Sequence, residues 1–225
     1  MMLELGLDTT FTPAEQRTQE WYDLRLGKVT ASRMGDVMAK TKTGYAAVRA
    51  TYMSELICER LTGQKADRFV NRAMIWGTEK EPIARDAYVA LTGFDVTETG
   101  FIPHPAIENF GASPDGLIGD TGLIEIKCPS TATHIETVLN GVIDRKYILQ
   151  MQVQMACTNR DWCDFVSFDP RMPEGMDLWM CRVGRDDSLI QEIEDETAAF
   201  LEEIEEKIEA LRSRFSTHHA AANAV

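Results

Sequence analysis

Apolar residues recur every three to four positions over several long stretches of the chain, the spacing of a helix with one buried stripe. From Tyr45 to Thr62 that stripe is Ala46, Ala50, Met53, Ile57 and Leu61, and Gly63 stands where the helix should stop. The same reasoning predicts helices over Ala14–Leu24 (ending at Gly27), from near Ser32, over Thr78–Leu91 (ending at Gly93), over Ala132–Leu139 and over Lys146–Cys157. The longest pattern runs from Asp187 to Phe215, with Leu189, Ile193, Phe200, Ile204, Ile208, Leu211 and Phe215 on one side. Elsewhere the period falls to two. Phe94–Pro103, Phe110–Ala112, Leu123–Lys127, Asp164–Phe168 and Leu178–Val183 are the expected strands. Alternation in the clearest of them puts Glu125 and Lys127 on one face and Ile124 and Ile126 on the other. Helices bracketing a central group of strands predict an α/β (α+β) fold, a mixed sheet with helical layers, although the pattern does not give the strand order. Residues 1–15 and 216–225 are expected to be loose tails.

Composition narrows this further. A chain of 225 residues, 44% of them hydrophobic, can bury the core of one domain spanning 1–225. It has no apolar run of the roughly 18 residues that a membrane helix needs. Met1–Asp8 has neither the basic flank nor the apolar stretch of a secretory signal, so a cytoplasmic location is expected. The five cysteines (Cys58, Cys128, Cys157, Cys163, Cys181) are odd in number and form no Cys-x-x-Cys pair, which fits reduced thiols. The four scattered histidines argue against zinc.

A net charge of −13 argues at first sight against a nucleic-acid partner. Its distribution changes that. Residues 186–211 hold eleven acids and one cation, Lys207, so this segment alone carries −10. Residues 1–80 hold twelve Lys and Arg against ten acids. Local fields follow where charges cluster, so an acidic helix and a basic cleft can coexist.

The candidate chemistry centres on Ala112-Ser113-Pro114-Asp115-Gly116 and Leu123-Ile124-Glu125-Ile126-Lys127-Cys128-Pro129. Asp115 and Glu125 supply carboxylates, and the carbonyl of Ile126 a third oxygen, for a hard divalent cation. Such an ion polarises a phosphoryl group and acidifies a bound water, while Lys127 can position that water and stabilise developing charge. Taken singly, Pro-Asp-Gly is a common turn and Glu-x-Lys a common strand surface. Glu81 is a further acid for the site, or the last member of a capping box begun by Thr78. In Trp21–Ser32, Thr30 or Ser32 can cap the following helix, and Arg25 can present a forked cation to phosphate, or be an ordinary surface arginine. Gln150 and Gln152 offer amides to phosphate oxygens or metal-bound waters, or form a polar helix face with Gln154. Gln150 and Gln154 share their face with Tyr147.

The order of these pieces is informative: Trp21, Arg25 and Thr30-Ala31-Ser32; Trp76-Gly77 and Glu81; Ser113-Pro114-Asp115-Gly116; Glu125-Ile126-Lys127-Cys128-Pro129; Gln150-Met151-Gln152; and Phe168-Asp169-Pro170-Arg171-Met172. Together, over roughly residues 20–185, they resemble the phage lambda exonuclease family, the YqaJ-type viral recombinases or alkaline exonucleases. The resemblance implies a restriction-endonuclease-like fold with a PD-(D/E)xK core. It implies a Mg²⁺-dependent 5′→3′ exonuclease, with two ions and Mn²⁺ able to substitute, that degrades one strand of linear duplex DNA to 5′-mononucleotides and leaves a 3′ overhang. By family position Asp115, Glu125 and the Ile126 carbonyl bind metal, Lys127 handles the water and Glu81 is an accessory acid. Arg25, Ser32, Ser113 and Gln150 fall where the family holds the 5′-terminal phosphate. A homotrimer and a single-strand annealing partner are also implied. The first fifteen residues and the segment 40–70 do not match the family pattern. Two other readings use the same residues: an endonuclease or resolvase of the same core, and a non-catalytic DNA-end-binding module.

Overall fold

The computed structural model describes residues 14–66 and 71–222, with side chains through residue 216. The first helix, α1 (Gln19–Arg25), begins later than its apolar pattern suggests because Thr18 caps it, its hydroxyl accepting the Trp21 N–H at 3.3 Å. Gly27, at φ 68, turns the chain into β1 (Val29–Thr30). A 3-10 turn, Ala31–Arg33, leads into α2 (Met34–Val37). Neither Thr30 nor Ser32 acts as the expected cap: Thr30 makes no side-chain capping bond and Ser32 lies within the turn. A short hairpin, β2 (Lys40–Thr41) and β3 (Gly44–Tyr45), precedes α3 (Ala47–Thr62), which ends at Gly63 as the pattern predicts.

The next helix corrects the sequence reading. α4 spans Arg72–Thr92 and is capped by Asn71, whose side chain accepts the Met74 N–H at 2.9 Å. Thr78 and Glu81 are therefore interior positions and make no capping box. The extra turns at its start were hidden because Met74 and Ile75 are exposed and leave no apolar stripe to read.

The expected strand Phe94–Pro103 is divided between two sheets as β4 (Val96–Thr97) and β5 (Ile102–Pro103). Then come β6 (Phe110–Ala112), β7 (Gly116–Ile118), β8 (Gly122–Lys127), α5 (Thr131–Asn140), α6 (Arg145–Thr158), β9 (Trp162–Phe168), β10 (Leu178–Gly184) and α7 (Asp187–Ala222). Because α7 continues to Ala222, the tail expected to be loose from residue 216 begins as helix. At the other end the chain is anchored from Ala14, which is buried. The Gln16 amide donates to the carbonyls of Thr99 and Pro114, both at 2.8 Å. The rest of the expected N-terminal tail, residues 1–13, lies outside the described residues.

The larger sheet has the order β10-β9-β8-β7-β4, with β8 and β9 parallel and the other neighbours antiparallel. A smaller sheet, β1-β6-β5, lies apart from it. One face of β8 and β9 packs Leu123, Cys163 and Phe165 against Met151 and Met155 of α6. The other packs Ile124, Ile126, Val166 and Phe168 against Ala84 and Tyr88 of α4. A third core joins Val29, Met34, Tyr52 and Phe110 to Ile193, Phe200 and Ile204 of α7. Among the described residues no helix is long and apolar enough to cross a membrane.

Candidate active site

The site lies at the start of β7. β7 pairs with β8 from Gly116 opposite Ile124, so Ile126 lies beyond the last rung on that side. Its N–H is taken by Asp115, whose Oδ2 accepts it at 2.7 Å. The N–H and C=O of one strand residue point to the same side, so the Ile126 carbonyl faces the edge that Asp115 occupies. Gly116 is needed for packing: a Cβ there would overlap the side chains of Val96 and Ile124.

On the α6 face of β8, Glu125 has no exposed surface. The Gln150 amide donates to its Oε1 at 2.7 Å, and the Gln154 amide to its Oε2 at 2.6 Å. Lys127 forms an ion pair with the same carboxylate, its ammonium 5.0 Å from the Tyr147 ring centre. Alternation thus places Glu125 and Lys127 together, as the sequence predicts. Burial raises the Asp115 carboxyl well above its ordinary range, and the charges of Glu125 and Glu81 raise it further, against the opposing Lys127 charge and Ile126 N–H. Burial alone would lower Lys127, but Glu125 and Asp115 outweigh it and hold the ammonium charged. Burial, reinforced by the charges of Glu81 and Asp115, pushes the Cys128 thiol up to about 12.

Glu81 faces this group from α4 with both oxygens engaged, one by Arg17 and the other by Arg85 at 3.3 Å. Among the described residues no three His, Cys, Asp or Glu side chains already converge on one point. The groups that could hold a cation are Asp115, Glu125 and the Ile126 carbonyl, while both oxygens of Glu81 are taken by arginines. A buried Asp115 whose proton affinity is raised by neighbouring carboxylates suits a hard divalent ion, whose charge relieves the repulsion.

Arg17, the partner of Glu81, lines a cavity of about 440 Å³ together with Trp21, Arg25, Lys28 and Thr30 among others. Ser113, two residues before Asp115, accepts from Arg25 Nη1 and from the Trp21 indole N–H, both at 3.0 Å. The Arg25 guanidinium stacks on Trp21 at 4.1 Å. Thr30 is buried, its N–H donating to the Tyr52 hydroxyl at 3.2 Å, and Ser32 Oγ lies 3.4 Å from Thr30 Oγ1.

The glutamines divide differently from expectation. Gln150, expected beside Arg25 and Ser113 at the terminal phosphate, has its amide on Glu125. Gln152 points elsewhere: its amide donates to the Gly184 carbonyl at 2.9 Å and its oxygen accepts the Asp186 N–H at 2.9 Å, fastening α6 to the link between β10 and α7. Gln154, not singled out from sequence, is the second amide on Glu125. The signal for it was its position four residues from Gln150 on the Tyr147 face. Arg17 is the other residue the sequence did not mark.

This assembly of a strand-borne Glu-x-Lys, an aspartate at the start of the neighbouring strand and helices on either face defines a class. The chain belongs to the YqaJ-like viral recombinase domain family, which it matches over residues 20–161. Its fold is similar to that of LHK-Exo, an alkaline exonuclease from Laribacter hongkongensis also solved in complex with dAMP. The two share 57% identity at a TM-score of 0.84, covering 89% of this chain and 99% of that one. A phage-related exonuclease from Haemophilus somnus 129PT shares the fold at 18% identity and a TM-score of 0.66, over 82% of this chain and 96% of that one. Protein R354 of Acanthamoeba polyphaga mimivirus is 27% identical over 165 residues, 68% of this chain. The chain spans only 29% of that relative's length.

Proposed function

We propose that this protein is a Mg²⁺-dependent exonuclease that degrades one strand of linear double-stranded DNA from its 5′-phosphorylated end, releasing 5′-mononucleotides and leaving a 3′ overhang. The observation that carries this reading is the Ser113-Pro114-Asp115 segment. It ties the Arg25–Ser113–Trp21 cluster to the acid cluster with one residue between, so an end-phosphate pocket and a cleavage centre adjoin. The dAMP bound by LHK-Exo, at 57% identity, fits a mononucleotide product. The homotrimer and annealing partner implied by the family resemblance belong to the same reading.

In this mechanism Arg25 and Ser113 fix the terminal phosphate, with Thr30 and Ser32 beside them, and the indole of Trp21 braces the guanidinium. Asp115, Glu125 and the Ile126 carbonyl would hold Mg²⁺, or Mn²⁺ in its place, with Glu81 as the accessory acid. The bound metal supplies Lewis acidity and an acidified water. Lys127, kept charged by Glu125 and Asp115, would orient the attacking water and stabilise charge building on the phosphoryl oxygens. Gln150 and Gln154 keep Glu125 from turning, which preserves the geometry on which positioning catalysis depends.

Purified protein with Mg²⁺ and linear duplex should release mononucleotides, and Asp115→Asn or Lys127→Ala should lower the rate by about 10³-fold or more. Full activity in both variants, or cutting of closed circular DNA at a comparable rate, would overturn the assignment.

A further inference from the structure

Arg17 is a cation at the site to which that mechanism gives no part. Its backbone sits at φ 72, a left-handed conformation that residues bearing a side chain rarely adopt. The neighbours on both sides fix it there. Gln16 is clamped to Thr99 and Pro114, and Thr18 donates its hydroxyl to the Glu15 carbonyl at 2.7 Å while capping α1. From this rigid base the guanidinium reaches Glu81 and lines the same cavity as Trp21 and Arg25. The second cation on Glu81 is placed differently. The Arg85 side chain is only 12% exposed and also holds Glu98 at 2.6 Å, whereas the Arg17 side chain keeps 39% of its surface open. An exposed ion pair alone stabilises a fold little, and the Gln16 clamps already secure this segment. Strained backbone at the rim of a site is better explained by what its side chain is aimed at.

We propose that Arg17 is a specificity-determining residue: a second guanidinium beside Arg25 that takes the 5′-terminal phosphate of DNA, with Glu81 holding it at the cavity rim between turnovers. The inference rests on the function proposed above. A terminal phosphate monoester carries nearly two negative charges and three free oxygens, whereas an internal diester carries one charge and two. One arginine fork, partly engaged by Ser113, serves the diester. Two forks favour the monoester, and so a DNA end. Transfer of Arg17 from Glu81 to the phosphate also frees one oxygen of Glu81 as the substrate arrives.

The test is equilibrium binding in EDTA, where no cleavage occurs, of duplexes carrying a 5′-phosphate or a 5′-hydroxyl. Wild type, Arg17→Gly, Arg17→Lys and Arg25→Ala are compared, with Tm measured for each. Glycine accepts the left-handed backbone, so Arg17→Gly should keep or raise Tm while the affinity ratio of phosphate to hydroxyl ends falls roughly tenfold. Arg17→Lys, which keeps the charge without the fork, should recover part of that ratio. An Arg17→Gly ratio equal to wild type, with Arg25→Ala abolishing the preference, overturns the role of Arg17 and leaves the phosphate pocket standing. A wild-type protein with no preference overturns both.

Discussion

A carboxylate with no exposed surface needs a donor for each oxygen, and Glu125 is answered by Gln150, Gln154 and Lys127. The three glutamines of α6 look alike in sequence, yet two serve the site and one the scaffold. Replacing Gln154 with leucine removes a donor from Glu125 Oε2 and lets the carboxylate turn. The expected result is a fall in kcat of about 10- to 100-fold, with unfolding little changed. Gln152→Leu should do the reverse. Loss of its bonds to Gly184 and Asp186 should cost about 1–2 kcal/mol in urea unfolding, with kcat unaltered. If Gln152→Leu is the variant that slows turnover, the two faces of α6 have been assigned the wrong way round.

The loop from β9 to β10 is an element whose order depends on one acid. Asp169 is buried, and its carboxylate accepts from the Arg171 N–H at 3.0 Å, from Arg171 Nε at 2.6 Å and from Arg171 Nη2 at 3.0 Å. Burial pushes this carboxyl up, but hydrogen bonds from Arg171 and Thr131, with the Arg171 charge, outweigh it and set it at about 2. A folded value below the unfolded one stabilises the protein above the unfolded pKa, and that stability is lost as pH falls through about 4 toward 2. Arg171 is half exposed, so the contribution is discounted to about 1–2 kcal/mol. Asp169→Asn should lose that amount at pH 7 and flatten the decline in stability between pH 4 and 2. A decline as steep as in wild type would mean that other acids govern acid unfolding.

Legibility at this scale tracked length and period. α3, α6 and the buried part of α7 were readable because a stripe repeats over three or more turns. The strand β8 was readable from its alternation. β7, with three residues, and the β2–β3 hairpin offer too few positions to show a period. Phe94–Pro103 has the pattern of one strand because a break between sheets leaves no mark in polarity. The acids and Lys127 could be read from spacing. The Arg17–Glu81 pair could not, since nothing local links residues 64 positions apart.

For the whole molecule, a net charge of −13 has to be reconciled with the polyanionic substrate proposed above. Much of the acid on α7 is used internally. Glu196 pairs with Lys40 and accepts the Tyr45 hydroxyl at 2.7 Å, Glu205 pairs with Arg60, and Glu203 takes both Nη atoms of Arg49. The acidic helix is thereby fastened to the N-terminal half of the chain, and its apolar stripe is covered as far as Ile208, while Leu211 and Phe215 stay exposed. Arg49 is the centre of this fastening. Its side chain is 6% exposed, and its guanidinium lies 3.9 Å from the Tyr45 ring and 4.8 Å from that of Phe200. Arg49→Ala should lower the free energy of unfolding by about 2–3 kcal/mol, part of it from lost packing. Glu203→Ala should also destabilise, because it leaves a buried cation unanswered. The double variant should then lose less than the two singles together, with a coupling of about 1 kcal/mol or more. Because Arg49 is buried, that coupling should persist in high salt, where the exposed Lys40–Glu196 pair is screened. Single effects that add to within about 0.3 kcal/mol would show that apolar burial, not ion pairing, holds α7 in place.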